Sequence, residues 1–209
     1  MTRTTSPTTV VFDVGLVLIE WDPRHLYRKL FAGDEARVAW FLREVCPPAW
    51  NAEQDRGRPW EEAIAEASAR HPGLAADIAL YRARWHEMVP GAIGPSVDLL
   101  RALAVRDVPL YAITNFAADT FAEVAARFDF FSLFRGIVVS GTERVMKPEP
   151  EIFRLLADRH GLALGECLFV DDTLVNVAGA RDAGMHAHHF TTPAVLRAEL
   201  EGHGLLPAA

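Results

Sequence analysis

Five short runs rich in Val, Ile, Leu, Tyr or Phe recur along the chain, each bounded by turn or capping residues: 9–13, 108–114, 136–140, 167–171 and 185–190. Such runs read as buried strands. The last is the weakest, because histidines fill its middle. From residue 91 onward they alternate with stretches that read as helices, 95–106, 118–128, 149–160 and 174–183, and a final helix at 193–202 closes the chain. Pro95 near the start of the first and Gly184 after the fourth are ordinary helix punctuation. Strands alternating with helices predict an α/β fold: a parallel sheet covered by helices on both faces.

The interval 20–90 breaks this rhythm. It holds no convincing strand and offers helices near 23–31, 34–45, 59–70 and 74–88. Pro59 followed by Glu61 and Glu62 is a good helix start, and His71-Pro72-Gly73 a good stop. The reading is an all-helical unit, residues 20–90, inserted directly after the first strand, with Val89-Pro90-Gly91 as the return hinge. The core domain is then 1–19 and 91–209.

Half of the 209 residues are hydrophobic, enough for a sizeable core. The net charge of −7 comes without any basic block, so nucleic acid is excluded as an expected partner. Cys46 and Cys167 are far apart with no ligand spacing, which fits a reducing cytoplasm. The N-terminal MTRTTSPTT is polar and carries no signal-peptide pattern, and no apolar run is long enough to span a bilayer.

In open α/β sheets, ligands bind beyond the carboxyl ends of the strands. The first predicted strand ends at Asp13, the second at Thr114-Asn115 and the fourth at Asp171-Asp172, while Lys147 follows the third. This accounts for a carboxylate inside the apolar run VVFDVGLVLI: it sits at a strand tip, on the floor of a crevice. Three neighbouring carboxylates repel one another unless a cation compensates. Asp13, Asp171 and Asp172 therefore suggest a hard divalent ion such as Mg²⁺. Thr114 and Lys147 supply a hydroxyl and a positive charge, which a phosphoryl group requires.

Four motifs, FDVGLVL, ITN, KPEP and FVDDTLVNVAGARDAG, match the haloacid dehalogenase superfamily in order and spacing, over residues 9–22 and 91–190. The chain resembles that superfamily, most of whose members are phosphatases. The resemblance implies a Rossmann-like core, with the first strand between the second and fourth, and a small helical cap. It implies Asp13 as nucleophile and Thr114, with the backbone around Asn115, as the phosphoryl cradle. Lys147 would be the charge-balancing cation. Asp13, Asp172 and the Gly15 carbonyl would be Mg²⁺ ligands, with Asp171 an outer or second ligand and Asn176 orienting the loop or Asp171. The substrate would be a small phosphorylated metabolite, a sugar phosphate being one class.

The departure is Gly15. Most phosphatases of the superfamily carry Asp there, as the acid and base of the reaction. Either the leaving group is good enough to depart unaided, or the substrate or a cap residue supplies the proton. Glu20, Asp22, His25 and His86 are the cap candidates. The segment AWNAEQDRGRPW, residues 49–60, reads either as a polar turn over packed tryptophans or as a substrate-facing loop, with Trp21 and Arg56 touching the leaving group. HAHHF would put His186 and His188 on one strand face and His189 on the other, which favours structural roles over a metal site. Two other functions stay open: a 2-haloacid dehalogenase attacking carbon through Asp13, and a non-catalytic protein that binds a phosphorylated ligand or a partner.

Overall fold

The computed structural model describes residues 6–208; residues 1–5 of the polar N-terminal stretch, and residue 209, lie outside the described residues. The chain begins with β1 (Thr9–Phe12) and then turns wholly helical: α1 (Arg24–Leu30), α2 (Glu35–Trp40), α3 (Pro48–Asp55), α4 (Trp60–Arg70) and α5 (Ala75–Ala83). It returns through α6 (Gly94–Val105) to β2 (Leu110–Thr114), α7 (Ala118–Ala125), β3 (Gly136–Val139) and the short α8 (Ser140–Glu143). Then follow α9 (Pro150–His160), β4 (Cys167–Asp171), α10 (Leu174–Asp182), β5 (His186–His189) and α11 (Pro193–Gly202).

The strands form one parallel sheet in the order β3-β2-β1-β4-β5. The first strand is central, as expected, with Val10 level with Leu110 on one side and Leu168 on the other. Alternation along each strand sorts the side chains onto two faces. Val11, Tyr111, Ile113 and Phe169 pack under Ile152, Phe153 and Leu156 of α9. Val10, Phe12, Leu110 and Val170 face the other way, toward Leu100 and Leu103 of α6 and Leu196 and Leu200 of α11. This second cluster runs on without a break into the helical segment, through Tyr27, Trp50, Trp60 and Tyr81.

The outgoing and returning chains cross side by side. The Glu20 amide donates to Gly91 O and the Asp22 amide to Met88 O, and Ile19 bridges Ala92 antiparallel. Arg127 fastens the return with bonds to the carbonyls of His86 and Val89.

Several expected boundaries move for local reasons. β2 starts at Leu110 rather than Val108, after Pro109, which has no N–H to give a ladder. The expected helix 34–45 widens after Trp40 into a π-helical turn, Phe41–Val45. The expected helix 74–88 breaks at Ala83, and Trp85–Met88 forms a 3₁₀ turn. The largest difference is α3, where a polar turn or loop was the expectation. Pro48 starts it, and Gly57 at φ 100° stands just past its end.

Phe153 is wholly buried and meets Phe169 edge to face, with ring centroids 5.4 Å apart. Phe153→Ala is expected to lower the unfolding free energy by about 3–5 kcal/mol. Urea titration would read this as a lower midpoint at unchanged slope. A loss below about 1 kcal/mol would contradict close packing between α9 and the sheet.

Candidate active site

Asp13 is the first residue past β1. Its amide still donates to Val170 O (2.8 Å), so the backbone is pinned to β4 where the side chain leaves the sheet. The carboxylate is buried; its Oδ1 accepts from the Val14 amide at 2.7 Å and lies 2.7 Å from Lys147 Nζ. The same ammonium lies 2.6 Å from Asp171 Oδ2. Asp13 and Asp171 share strand parity with Val11 and Phe169, on the face that α9 covers. Lys147 precedes α9, so its side chain rises along that face, 5.5 Å from the Phe169 ring centroid, and meets both acids.

The lysine is held at its backbone. Asn115, one past β2, accepts from the Lys147 amide (2.9 Å) and donates to the Lys147 carbonyl (3.0 Å). Asn115 was expected to touch substrate through its backbone; its side chain serves the lysine loop. On the other side α10 approaches so closely at Gly179 that a Cβ there would lie 2.5 Å from Pro148 O.

Asp171 is saturated. Besides Lys147 it accepts from the Thr173 amide at 2.8 Å and from Asn176 Nδ2 at 3.1 and 3.2 Å. Asn176 thus steadies Asp171, one of the alternatives expected of it. Asp172 is only half buried, and His189 Nε2 lies 2.9 Å from its carbonyl. His188 turns instead toward Glu199, at 3.6 Å. Thr114, at the tip of β2, is buried. Among the described residues, one group of acidic, His or Cys side chains offers ligand atoms that converge: Asp13, Asp171 and Asp172, within 4.8 Å of one another.

Three carboxylates around one ammonium leave an excess of negative charge. Burial pushes the Asp13 carboxyl upward; Lys147 pulls against this and Asp171 reinforces it. Asp172 is raised by burial and by the Asp171 charge. Burial alone would depress Lys147, yet the charges of Asp13 and Asp171 outweigh it and keep the ammonium above the usual lysine range. The hard oxygen donors and the charge deficit fit a divalent cation.

A cavity of about 150 Å³ adjoins the cluster at Asp172. Its walls include Gly15, Asn115 and Asp172 from the sheet edge, and Trp21, Asn51, Asp55 and Trp85 from the segment after β1. Of the expected substrate contacts, Trp21 reaches it. Arg56 does not: its guanidinium is ion-paired with Glu149. Glu20, Asp22 and His25 line a separate outer cleft of about 510 Å³, and His86 lines neither. Asn51 and Asp55 belong to the segment 49–60, for which a substrate-facing loop was one expectation, without roles of their own, and Trp85 carried none. The available signal was the i, i+4 pairing of Asn51 with Asp55 on a helix opened by Pro48.

A parallel sheet with a lysine-bridged cluster of acids at its carboxyl edge defines a Rossmann-like α/β core of the kind the motifs suggest. The chain belongs to the haloacid dehalogenase-like hydrolase family, whose model matches residues 8–184. It is 34% identical over 94 residues to a sesquiterpene phosphatase of Aspergillus oryzae, covering 45% of this chain and 48% of that protein. It is 31% identical over 133 residues to the N-acylneuraminate-9-phosphatase of Mus musculus, covering 61% and 52%. The alignments thus span about half the length of these relatives. Among solved structures, a HAD family enzyme of Bacteroides thetaiotaomicron in complex with magnesium and inorganic phosphate superposes with a TM-score of 0.67 at 21% identity, covering 88% of this chain and 94% of that one. The L-2-haloacid dehalogenase of Xanthobacter autotrophicus superposes with a TM-score of 0.65 at 19% identity, covering 96% and 85%. The last two likenesses concern the fold. Among the described residues, no helix is long and apolar enough to cross a membrane.

Gly→Ala inside a helix ordinarily stabilises by about 0.5–1 kcal/mol. Gly179→Ala is expected to do the reverse, costing about 1–3 kcal/mol through the clash with Pro148 O and lowering turnover by displacing Lys147. Thermal melting and kcat measure the two effects. A higher melting temperature with unchanged turnover would refute the close approach.

Proposed function

We propose that the chain is a Mg²⁺-dependent phosphatase of small phosphate monoesters that works through an aspartyl-phosphate on Asp13. The observation that carries this reading is the Lys147 ammonium shared between Asp13 and Asp171 at the carboxyl edge of the sheet, with Asp172 beside them. Asp13 offers a carboxylate oxygen to phosphorus. The Thr114 hydroxyl and the backbone at Asn115 hold the phosphoryl oxygens, and Lys147 balances the charge of nucleophile and phosphoryl group. Water then releases phosphate from Asp13. Asp13, Asp172 and the Gly15 carbonyl would hold Mg²⁺, with Asp171 behind them. Bound there, the ion supplies positive charge to the phosphoryl oxygens.

Residues 20–90 act in this reading as a cap, and 1–19 with 91–209 as the core. The paired crossing at 18–22 and 88–93 is the hinge, and closure excludes bulk water from the cavity. Relatives named as phosphatases support phosphoryl chemistry. The size of the inner cavity suits a phosphoryl group with a modest leaving group, a sugar phosphate being the class we favour. Attack on carbon would need no metal, and the half-buried Asp172 beside Asp13 then has no task, which weighs against a dehalogenase. A non-catalytic role would leave the Asp13–Lys147 pair equally without purpose.

Release of phosphate from an activated aryl phosphate is expected to require Mg²⁺ and to fall to background in Asp13→Asn. Turnover that survives this change would remove Asp13 as nucleophile. Mg²⁺ at ten times its Kd is expected to stabilise the protein by about 1.4 kcal/mol, raising the melting temperature by about 3–5 °C. Asp172→Asn should abolish most of that rise at the same concentration. An equal rise in the variant would place the ion elsewhere.

A further inference from the structure

Gly15 leaves the reaction without the acid and base expected there, and the reason is not lack of room. A Cβ built on Gly15 meets nothing within 4 Å. The wall opposite supplies a carboxylate instead. Asp55 ends α3 and lines the same inner cavity as Gly15, Asn115 and Asp172.

Its position is fixed from both the helical segment and the sheet domain. Oδ1 accepts from the Ala117 amide (3.1 Å), just before α7, and Oδ2 from Asn51 Nδ2 (2.9 Å), one turn back on α3. Asn51 is held in turn by the Tyr81 hydroxyl at 3.2 Å. The Asp55 carbonyl accepts from the Ser140 hydroxyl at 2.5 Å. Among the described residues, Asp55 and Asp172 are the carboxylate side chains lining this cavity, and Asp172 belongs to the converging acid group.

We propose that Asp55 is the general acid and base of the reaction, performing from the helical segment the task for which Gly15 has no side chain. The proposal rests on the aspartyl-phosphate reading above. In the first half, the bond from phosphorus to the leaving oxygen breaks as the bond from Asp13 to phosphorus forms. The Asp55 carboxyl proton passes to the departing oxygen. In the second half, the Asp55 carboxylate takes a proton from water as that water's oxygen bonds to phosphorus and the Asp13–phosphorus bond breaks. Asp55 ends protonated as it began, and no further reactant is consumed. Burial pushes its carboxyl up to about 7, against the pull of the Ala117 amide and of Asn51, so both protonation states are populated near neutrality.

The test compares 4-nitrophenyl phosphate with a panel of alkyl and sugar phosphates, in the full-length protein with Mg²⁺. Asp55→Asn keeps an oxygen for the Ala117 amide and a matched shape, and its melting curve checks the fold. For the best alkyl ester, kcat/KM is expected to fall about 10²–10⁴-fold. With the aryl ester, whose leaving group needs little protonation, the first step should slow by less than about tenfold. Loss of the base then leaves a burst of one nitrophenolate per site followed by slow turnover. Adding Gly15→Asp to Asp55→Asn should restore part of the alkyl-ester turnover. An equal loss on both ester classes without a burst would overturn the proposal and leave Asp55 a structural clamp between α3 and α7. Wild type that cleaves aryl but no alkyl esters would overturn it too, since no acid is then needed. Wild type silent on every ester, or Asp13→Asn as active as wild type, would instead overturn the phosphatase reading on which it stands.

Discussion

One buried ammonium organises this molecule. Lys147 Nζ lies between Asp13 and Asp171, two acids carried by adjacent strands that would otherwise repel each other out of the sheet edge. A buried ionic cluster is poor evidence for stability, because desolvation opposes the attraction, while removing one partner leaves an unbalanced charge that costs roughly 3–5 kcal/mol. The surrounding structure is arranged to keep the lysine in place. Asn115 clasps its backbone, α10 closes on the following proline at Gly179, and Asn176 and the Thr173 amide occupy the rest of Asp171. Asp171 is thereby committed to the lysine, and Asp13 and Asp172 are left as the carboxylates most available to a cation.

From that floor the site is completed by a second layer. The helical segment after β1 meets the sheet domain along a line of directional contacts. Trp60 Nε1 donates to Asp119, Arg82 pairs with Asp119 and Glu123, and Arg56 pairs with Glu149. Beside them a Cβ on Gly57 would lie 2.8 Å from Gly141 O, so the loop after α3 touches the backbone of α8. Most of these ion pairs are partly exposed and worth little each. Their effect is positional: they set the end of α3, and so Asp55, over the cavity. Arg56 and Asp55 are neighbours with different tasks, one bracing the rim and one facing inward.

The sequence made the sheet legible because buried parallel strands are nearly continuous apolar runs, so the polar residues at their tips stand out. Asp13, Thr114 and Asp171 were found that way; Lys147, read from its place after the third strand, is brought to Asp13 and Asp171 by the loop before α9. What it hid depends on distance in space. α3 begins with Pro48 and carries Trp50 and Gln54 inward, but its polar spacing reads equally well as a turn, and only packing against Tyr81 and Trp60 decides the matter. Asp55 was hidden for the same reason: its surroundings come from Ala117 and Ser140, more than sixty residues away. Arg56 was over-read because an arginine beside a polar stretch suggests an anion, while nothing local announces Glu149. Strand alternation separates His188 from His189, and the second of these touches the Asp172 carbonyl.

The loop between Asp13 and the strand crossing joins the two layers. Leu16 sits at φ 58°, a left-handed conformation that disfavours a branched side chain by about 1–2 kcal/mol. The strain is held by the loop's own bonds: Leu16 donates to Ile19 O, and Leu18 and Ile19 donate to Val14 O. The resulting turn projects the Leu16 side chain, nearly half exposed, onto the boundary shared by the inner cavity and the outer cleft. Ile19, which closes the turn, also bridges Ala92 at the crossing. The residues between Asp13 and Ile19 therefore join three things: the end of β1 at Asp13, the wall of the inner cavity at Leu16, and the strand crossing on which the helical layer is hung. One short, hydrogen-bonded loop connects that crossing to Leu16. Strain at Leu16 has its physical meaning there, since relaxing the turn would move the cavity wall and the Asp13 backbone together.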